Sequence, residues 1–152
     1  MTVAVSRLRH SAAVASTTEQ TTLGEGPRWD ARNSEFLHVD IARGLVWRHG
    51  VRDDGSLHLV RSYAIGEPVG AIAPIDGHDG WLLAAGRGFR LLDRDGTVRS
   101  LVDVAPADAR MNDAVCDAAG RCWAGSLADD HRVGGGAVHL LDVNGATRTV
   151  LD

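Results

Sequence analysis

Glu25 stands between two glycines in Leu23-Gly24-Glu25-Gly26-Pro27-Arg28-Trp29-Asp30, and Asn112 stands in Met111-Asn112-Asp113-Ala114-Val115-Cys116-Asp117. In both segments the polar residue lies five places before an Asp that opens a turn. A carboxylate and an amide are groups that hold a metal ion or a polar ligand. Their separation is about two turns of a repeat of roughly 40–50 residues, the period of propellers and solenoids. Polar side chains at equivalent places in a ring of repeats point toward one axis, which is how a propeller builds a ligand site in its channel. The bland alternatives are a solvated turn carboxylate at Glu25 and, for Arg110 and Asn112, a surface loop leading into a strand.

Other polar groups carry less. The seven histidines are scattered, with no H-x-x-x-H pair, which argues against a His-ligated metal. Gly134-Gly135-Gly136 leads into a strand and lacks a following Lys-Ser/Thr, so it is not a phosphate loop. Asp117-Ala118-Ala119-Gly120-Arg121 reads as a structural hairpin. Cys116 and Cys122 are the only cysteines. They fall on adjacent strands and read as reduced, packed thiols, a disulfide being the lesser reading.

The elements that position these residues are short strands. After residue 20, Val- and Leu-rich runs alternate with Gly, Asp and Asn turns, with no helical periodicity. The runs group in fours: 23–30, 35–40, 44–49 and 56–62; then 69–76, 80–85, 88–93 and 97–103; then 111–117, 121–126, 136–142 and 146–151. Marks recur in phase. A Gly begins each third strand (Gly44, Gly88, Gly136), and Phe36, Trp81 and Cys122 occupy the second strands. Asp54-Gly55, Asp95-Gly96 and Asn144-Gly145 precede the fourth, as pairs suited to two-residue turns with positive φ. Trp29, Trp81, Trp123 and Trp47 are expected between blades.

The fold class is therefore all-β, a partial β-propeller of about three four-stranded blades over residues 21–152, with residues 1–20 as an N-terminal tail or closing strand. Propellers have about four to eight blades, so three blades read as half of a ring. At 152 residues and a net charge of −4, without a Lys/Arg cluster, the chain is not expected to bind nucleic acid. No stretch approaches the ~20 apolar residues that span a bilayer, so no membrane partner is expected, and a cytoplasmic location is the default.

Leu23-Gly24-Glu25-Gly26-Pro27-x-Trp29-Asp30, followed by Arg110-x-Asn112-Asp113-x-x-x-Asp117-x-x-Gly120-Arg121-x-Trp123-x-Gly125-Ser126, resembles the SMP-30/gluconolactonase/LRE-like (regucalcin) family. That resemblance implies a six-bladed propeller and a sugar-lactone hydrolase with one divalent cation in its channel, Ca²⁺ or Zn²⁺, with Mg²⁺ or Mn²⁺ as alternatives. By resemblance Glu25 matches the first metal ligand, Arg110 and Asn112 match residues that hold the sugar-like substrate, and Asp130 matches more loosely a further acidic substrate contact. An even alternative for Asp130 is a solvated acid beside Asp129. The family's remaining ligands, an Asn and the Asp presumed to act as general base, belong to a C-terminal half whose motifs do not occur here. The expectation is thus a truncated lactonase, inactive alone, whose small-molecule partner is a sugar lactone. The alternative is a non-catalytic metal- or carbohydrate-binding half propeller, two copies of which close a ring head to tail as a homodimer.

Overall fold

A computed structural model describes residues 12–152. The first eleven residues of the expected tail or closing strand lie outside the described residues. Residues 12–20 form no strand; the Ser16 carbonyl accepts a hydrogen bond from the Leu57 N–H at 2.7 Å.

Twelve strands follow in chain order: β1 Gly24–Asp30, β2 Glu35–Asp40, β3 Leu45–Val51, β4 Leu57–Ala64, β5 Val69–Pro74, β6 Trp81–Ala85, β7 Gly88–Leu92, β8 Val98–Asp103, β9 Ala109–Cys116, β10 Cys122–Ala128, β11 Ala137–Leu141 and β12 Thr147–Leu151. They pair antiparallel in consecutive fours, giving three meander sheets, β1–β4, β5–β8 and β9–β12. The sheets stack face against face as successive propeller blades without closing a ring, and β1, β5 and β9 are the neighbouring innermost strands.

Burial explains why these segments are strands. In the first sheet, Leu37, Val39, Val46 and Tyr63 face the second sheet's Val69, Ile72, Trp81, Leu83 and Leu92. The second sheet's other face presents Ala71, Ala84 and Phe89 to Met111, Cys122 and Ala124 of the third. Because both faces of the second sheet are covered, β5 is apolar throughout (VGAIAP) rather than alternating. The small residues of the second interface let the blades approach closely.

Polar groups tie the blades where they are buried. Arg48 grips Glu35 through two hydrogen bonds of 2.7 and 2.8 Å, donates to the Tyr63 hydroxyl at 2.9 Å, and lies 4.7 Å over the Trp81 ring. The Trp81 indole N–H donates across the interface to Asp30 Oδ2 at 2.9 Å. Trp81 is thus the tryptophan between blades. Trp29 is half exposed, Trp123 lies on the outward face of the third sheet, and Trp47 stacks with His38 and His49 on the outward face of the first. Those three do not sit between described blades, because among the described residues the outer face of each terminal sheet has no second blade against it.

The turns before the fourth strands also differ from the expected two-residue form. At Gly55, Gly96 and Gly145 only the glycine has positive φ, and its N–H donates back to the residue three places earlier (Arg52, Asp93, Asp142). This is a type I turn ending in a left-handed glycine bulge. Asp117 and Gly120 build the same turn between β9 and β10.

Candidate functional site

The approach to β1 is fixed by Asp40, a buried carboxylate that accepts the N–H groups of Thr22, Leu23 and Arg43 at 2.8, 3.2 and 3.2 Å. Burial pushes its pKa up, and these donors more than reverse the effect, holding it below the usual carboxylate range. β1 then pairs with β2 at Gly24↔Asp40 and Glu25↔Val39, and slips register before Arg28↔Leu37. Gly26, at φ 61°, sits in that bulge, and Glu25 is exposed beside it.

The same irregularity recurs in all three innermost strands. β5 slips between Val69 and Ala71, leaving Gly70 as its extra residue. β9 slips between Met111 and Asp113, leaving Asn112. Bulges re-aim side chains and often flank sites. The three bulges touch: a β-carbon on Gly70 would lie 2.7 Å from the Asn112 carbonyl carbon, and one on Gly26 would lie 3.5 Å from the Gly70 carbonyl oxygen. Arg28 bridges β1 and β9, its Nη2 donating to the Ala114 carbonyl at 3.3 Å, from the first blade to the third. Glu25 and Asn112 therefore stand at adjoining heights on the innermost strands, one residue out of phase in the repeat. Glu25 aligns with Val69 and Met111, whereas Asn112 aligns with Gly26 and Gly70.

Arg110 and Asn112 come together directly. Arg110 Nη1 donates to Asn112 Oδ1 and to the Met111 carbonyl, each at 3.1 Å. Holding the amide oxygen leaves the Asn112 NH₂ as a donor for an oxygen-bearing ligand. Asp130 lies in the turn after β10 at the same end of the sheet, because Leu127 pairs with Arg110 and Ala128 with Ala109. Its bonds go elsewhere: the Arg132 N–H and Nη1 both donate to Oδ1 at 3.1 Å, and Arg132 also meets Asp108 at 2.8 Å. The Arg132 N–H, aided by its guanidinium, holds the Asp130 carboxyl below its ordinary range. No hydrogen bond among the described residues joins Asp130 to Arg110 or Asn112.

Asp117 is structural, as expected of that hairpin. Its carboxylate accepts the N–H groups of Ala119 and Arg121, the Arg121 Nε–H, and the Trp123 indole N–H at 3.0 Å. These bonds, that from Trp123 foremost, hold its pKa at about 2.

Several residues of this region were not singled out in the sequence. Gly70 lies between the other two bulges, and Arg28 reaches from the first blade to the third. Glu67, at the entry to β5, accepts from Arg90 Nε at 2.8 Å, and Arg90 also meets Asp103 at 2.7 Å. The Met111 N–H donates to the Gly86 carbonyl at 2.7 Å and anchors the start of β9. Aligning the repeats on Gly26 would have found Gly70; nothing in the sequence signals the reach of Arg28.

Comparison with known proteins accords with this fold. The model of the SMP-30/Gluconolactonase/LRE-like region matches residues 23–152. Regucalcin of Xenopus laevis is 32% identical over 72% of this chain and 36% of its own length. A pentonolactonase of Haloferax volcanii is 30% identical over 84% of this chain and 42% of its own length. The crystal structure of a calcium-binding regucalcin from Agrobacterium tumefaciens superposes with a TM-score of 0.76 at 19% identity, covering 90% of this chain and 45% of that one. The chain thus spans less than half the length of these relatives.

Proposed function

This chain belongs to the SMP-30/gluconolactonase/LRE-like family, and from that membership we propose that it carries the first half of a divalent-metal-dependent site for hydrolysing sugar lactones. The observation that supports this most is the contact of the three bulged innermost strands, with Glu25 and Asn112 at adjoining heights along it. Lactone hydrolysis needs the ring held, the carbonyl polarised and a water activated.

Arg110 and Asn112 serve the first need. The Arg110 guanidinium fixes the Asn112 amide, whose NH₂ donates to a hydroxyl or carbonyl oxygen of the ring, and Asp130 offers a carboxylate at the same end. A divalent cation, when bound, polarises the carbonyl and acidifies a water. Glu25 offers it one exposed oxygen ligand. Among the described residues no group of three or more His, Cys, Asp or Glu side chains comes together. Ca²⁺ takes about six to eight oxygens and catalytic Zn²⁺ about three protein ligands, so Glu25 meets only part of either shell. The donor set is one of oxygens, which accords with Ca²⁺ and is tolerated by Zn²⁺, Mg²⁺ or Mn²⁺.

The test measures metal and substrate separately. Millimolar Ca²⁺ or Zn²⁺ is expected to raise the melting temperature of the wild-type chain and not that of Glu25→Gln. Binding of an aldonolactone, followed by calorimetry, is expected to weaken about tenfold in Asn112→Ala. A metal-induced shift that survives Glu25→Gln removes that carboxylate from the site.

A second reading rests on the terminal sheets. Trp29 is 52% exposed on the first and Val115 54% on the third, so each end offers apolar surface. Two copies joined head to tail would cover both faces as a six-bladed, non-catalytic ring. Light scattering distinguishes the two, since a monodisperse monomer excludes the ring.

A further inference from the structure

Cys116 ends β9 and Cys122 begins β10, and the two are directly paired across the sheet. The hairpin between them is closed by the Asp117 N–H donating to the Arg121 carbonyl at 2.9 Å. Asp117 and Arg121 therefore occupy a hydrogen-bonded position, and the adjoining pair, Cys116 and Cys122, falls at a non-hydrogen-bonded one. There the Cα atoms stand ~4.5 Å apart with their side chains close, inside the ~4.4–6.8 Å window that a disulfide spans. Both cysteines are free thiols.

The environments of the two thiols differ. Cys122 is buried between the second and third sheets. Cys116 is exposed and forms part of the wall of a groove of about 780 Å³ between those sheets, beside Leu82, Leu101 and Leu141. The groove gives a small molecule a path to one sulfur. Contact with the Cys122 thiol, with help from the Arg28 charge, brings the Cys116 thiol down to about 7, against burial, which pushes it up. The same contact and its burial push the Cys122 thiol up. A thiolate is the reactive form of cysteine. Cys116 is thus the sulfur a small molecule in the groove can reach, and Cys122 lies covered beside it.

We propose that Cys116 and Cys122 are a redox pair, in which a hydroperoxide oxidises Cys116 and Cys122 then closes a cross-strand disulfide within the β9–β10 hairpin. In the first step the Cys116 thiolate attacks the nearer peroxide oxygen. An S–O bond forms, the O–O bond breaks, and the departing alkoxide or hydroxide takes a proton. In the second step the Cys122 sulfur attacks Cys116–SOH, the S–S bond forms, the S–O bond breaks, and water leaves with the Cys122 proton. Two thiols lose two electrons and the peroxide gains them. The product clamps the strand that carries Arg110 and Asn112, at the end of β9 away from both. The pair is independent of the lactonase reading, because neither sulfur touches Glu25, Arg110 or Asn112.

Hydrogen peroxide added to the reduced chain, followed by intact mass and non-reduced tryptic mapping, tests this. The expected product has lost both titratable thiols and the mass of two hydrogens, with the peptide 111–121 joined to the peptide 122–132. Dithiothreitol should restore both thiols. In C122S the reaction should stop at the sulfenic acid and be trapped by dimedone on Cys116. In C116S, Cys122 should stay reduced in the folded protein. Oxygen added to Cys116 of the wild-type chain without a cross-link, a cross-link between two chains, or oxidation of Cys122 in C116S at the wild-type rate would each overturn the proposal.

Discussion

Asp30 holds more of the structure than its position at the end of a strand suggests. It is wholly buried and accepts hydrogen bonds from Arg32, from Asn33 and from the Trp81 indole of the next blade. Removing it with Asp30→Ala leaves the buried Trp81 N–H unpaired and takes the carboxylate from Arg32, which keeps only the Ile75, His78 and Gly80 carbonyls. The expected cost is about 3 kcal/mol, read as a fall in the urea midpoint without loss of the slope. Gly70 is demanding for a different reason. An alanine there would drive a methyl group into the Asn112 backbone at 2.7 Å. Gly70→Ala is expected to cost about 2 kcal/mol and to disturb ligand binding at Asn112, whereas a purely structural role would leave binding intact in the folded fraction.

At the scale of the element, the hairpin turn is the repeated unit. The glycines at 55 and 145 have φ of 81° and 84°, and nothing lies within 4 Å of where a β-carbon would stand, so substitution there meets strain but no clash. Gly145→Ala should therefore cost about 1 kcal/mol through backbone conformation alone, and Gly145→Asn less, as thermal melts of the two variants would show. The β9–β10 hairpin uses the same turn with Asp117 as its clamp, and its oxidised form should gain about 2 kcal/mol from closing a short loop. The innermost strands repeat a second device, the bulge, with Gly26, Gly70 and Asn112 as its residues. Only the third blade places a side chain there, which is why that blade supplies the amide.

Across the whole molecule, acid should act in two stages. His49 and His139 are buried and His38 partly so, and burial, reinforced at His38 by its neighbour His49, holds each below the ordinary histidine range. The folded chain then binds fewer protons than the unfolded one below about pH 6.5. Stability present above that pH is lost as pH falls. Asp30, Asp40 and Asp117 are also held below their usual values, despite burial that pushes each up, by the hydrogen bonds they accept. Their contribution is complete above about pH 4 and disappears toward pH 2 and below. The melting temperature should drop between about pH 7.5 and pH 5 and again below pH 4. A rise on acidification in the first interval would contradict the histidine assignment.

The strands themselves were legible because each is a short apolar run closed by Gly, Asp or Asn, and local steric preference alone sets such boundaries. Observed ends differ from those expected by a residue or two, as at β9, which starts at Ala109 rather than Met111. Glu25, Arg110, Asn112 and Asp130 are proposed as site residues because the short motifs that hold them resemble those of the family, and such motifs read without neighbours. What folding alone decided is which groups meet. The Arg28 reach to Ala114, the Gly70 contact with Asn112 and the commitment of Asp130 to Arg132 join residues through space or through a turn's final geometry. Periodicity carries no record of such distances, since many side chains fit a strand position equally well until another blade packs against it. The same holds for the cysteines: their spacing allowed packed thiols or a bond, and only the register of β9 on β10 set them face to face, one covered and one open to solvent.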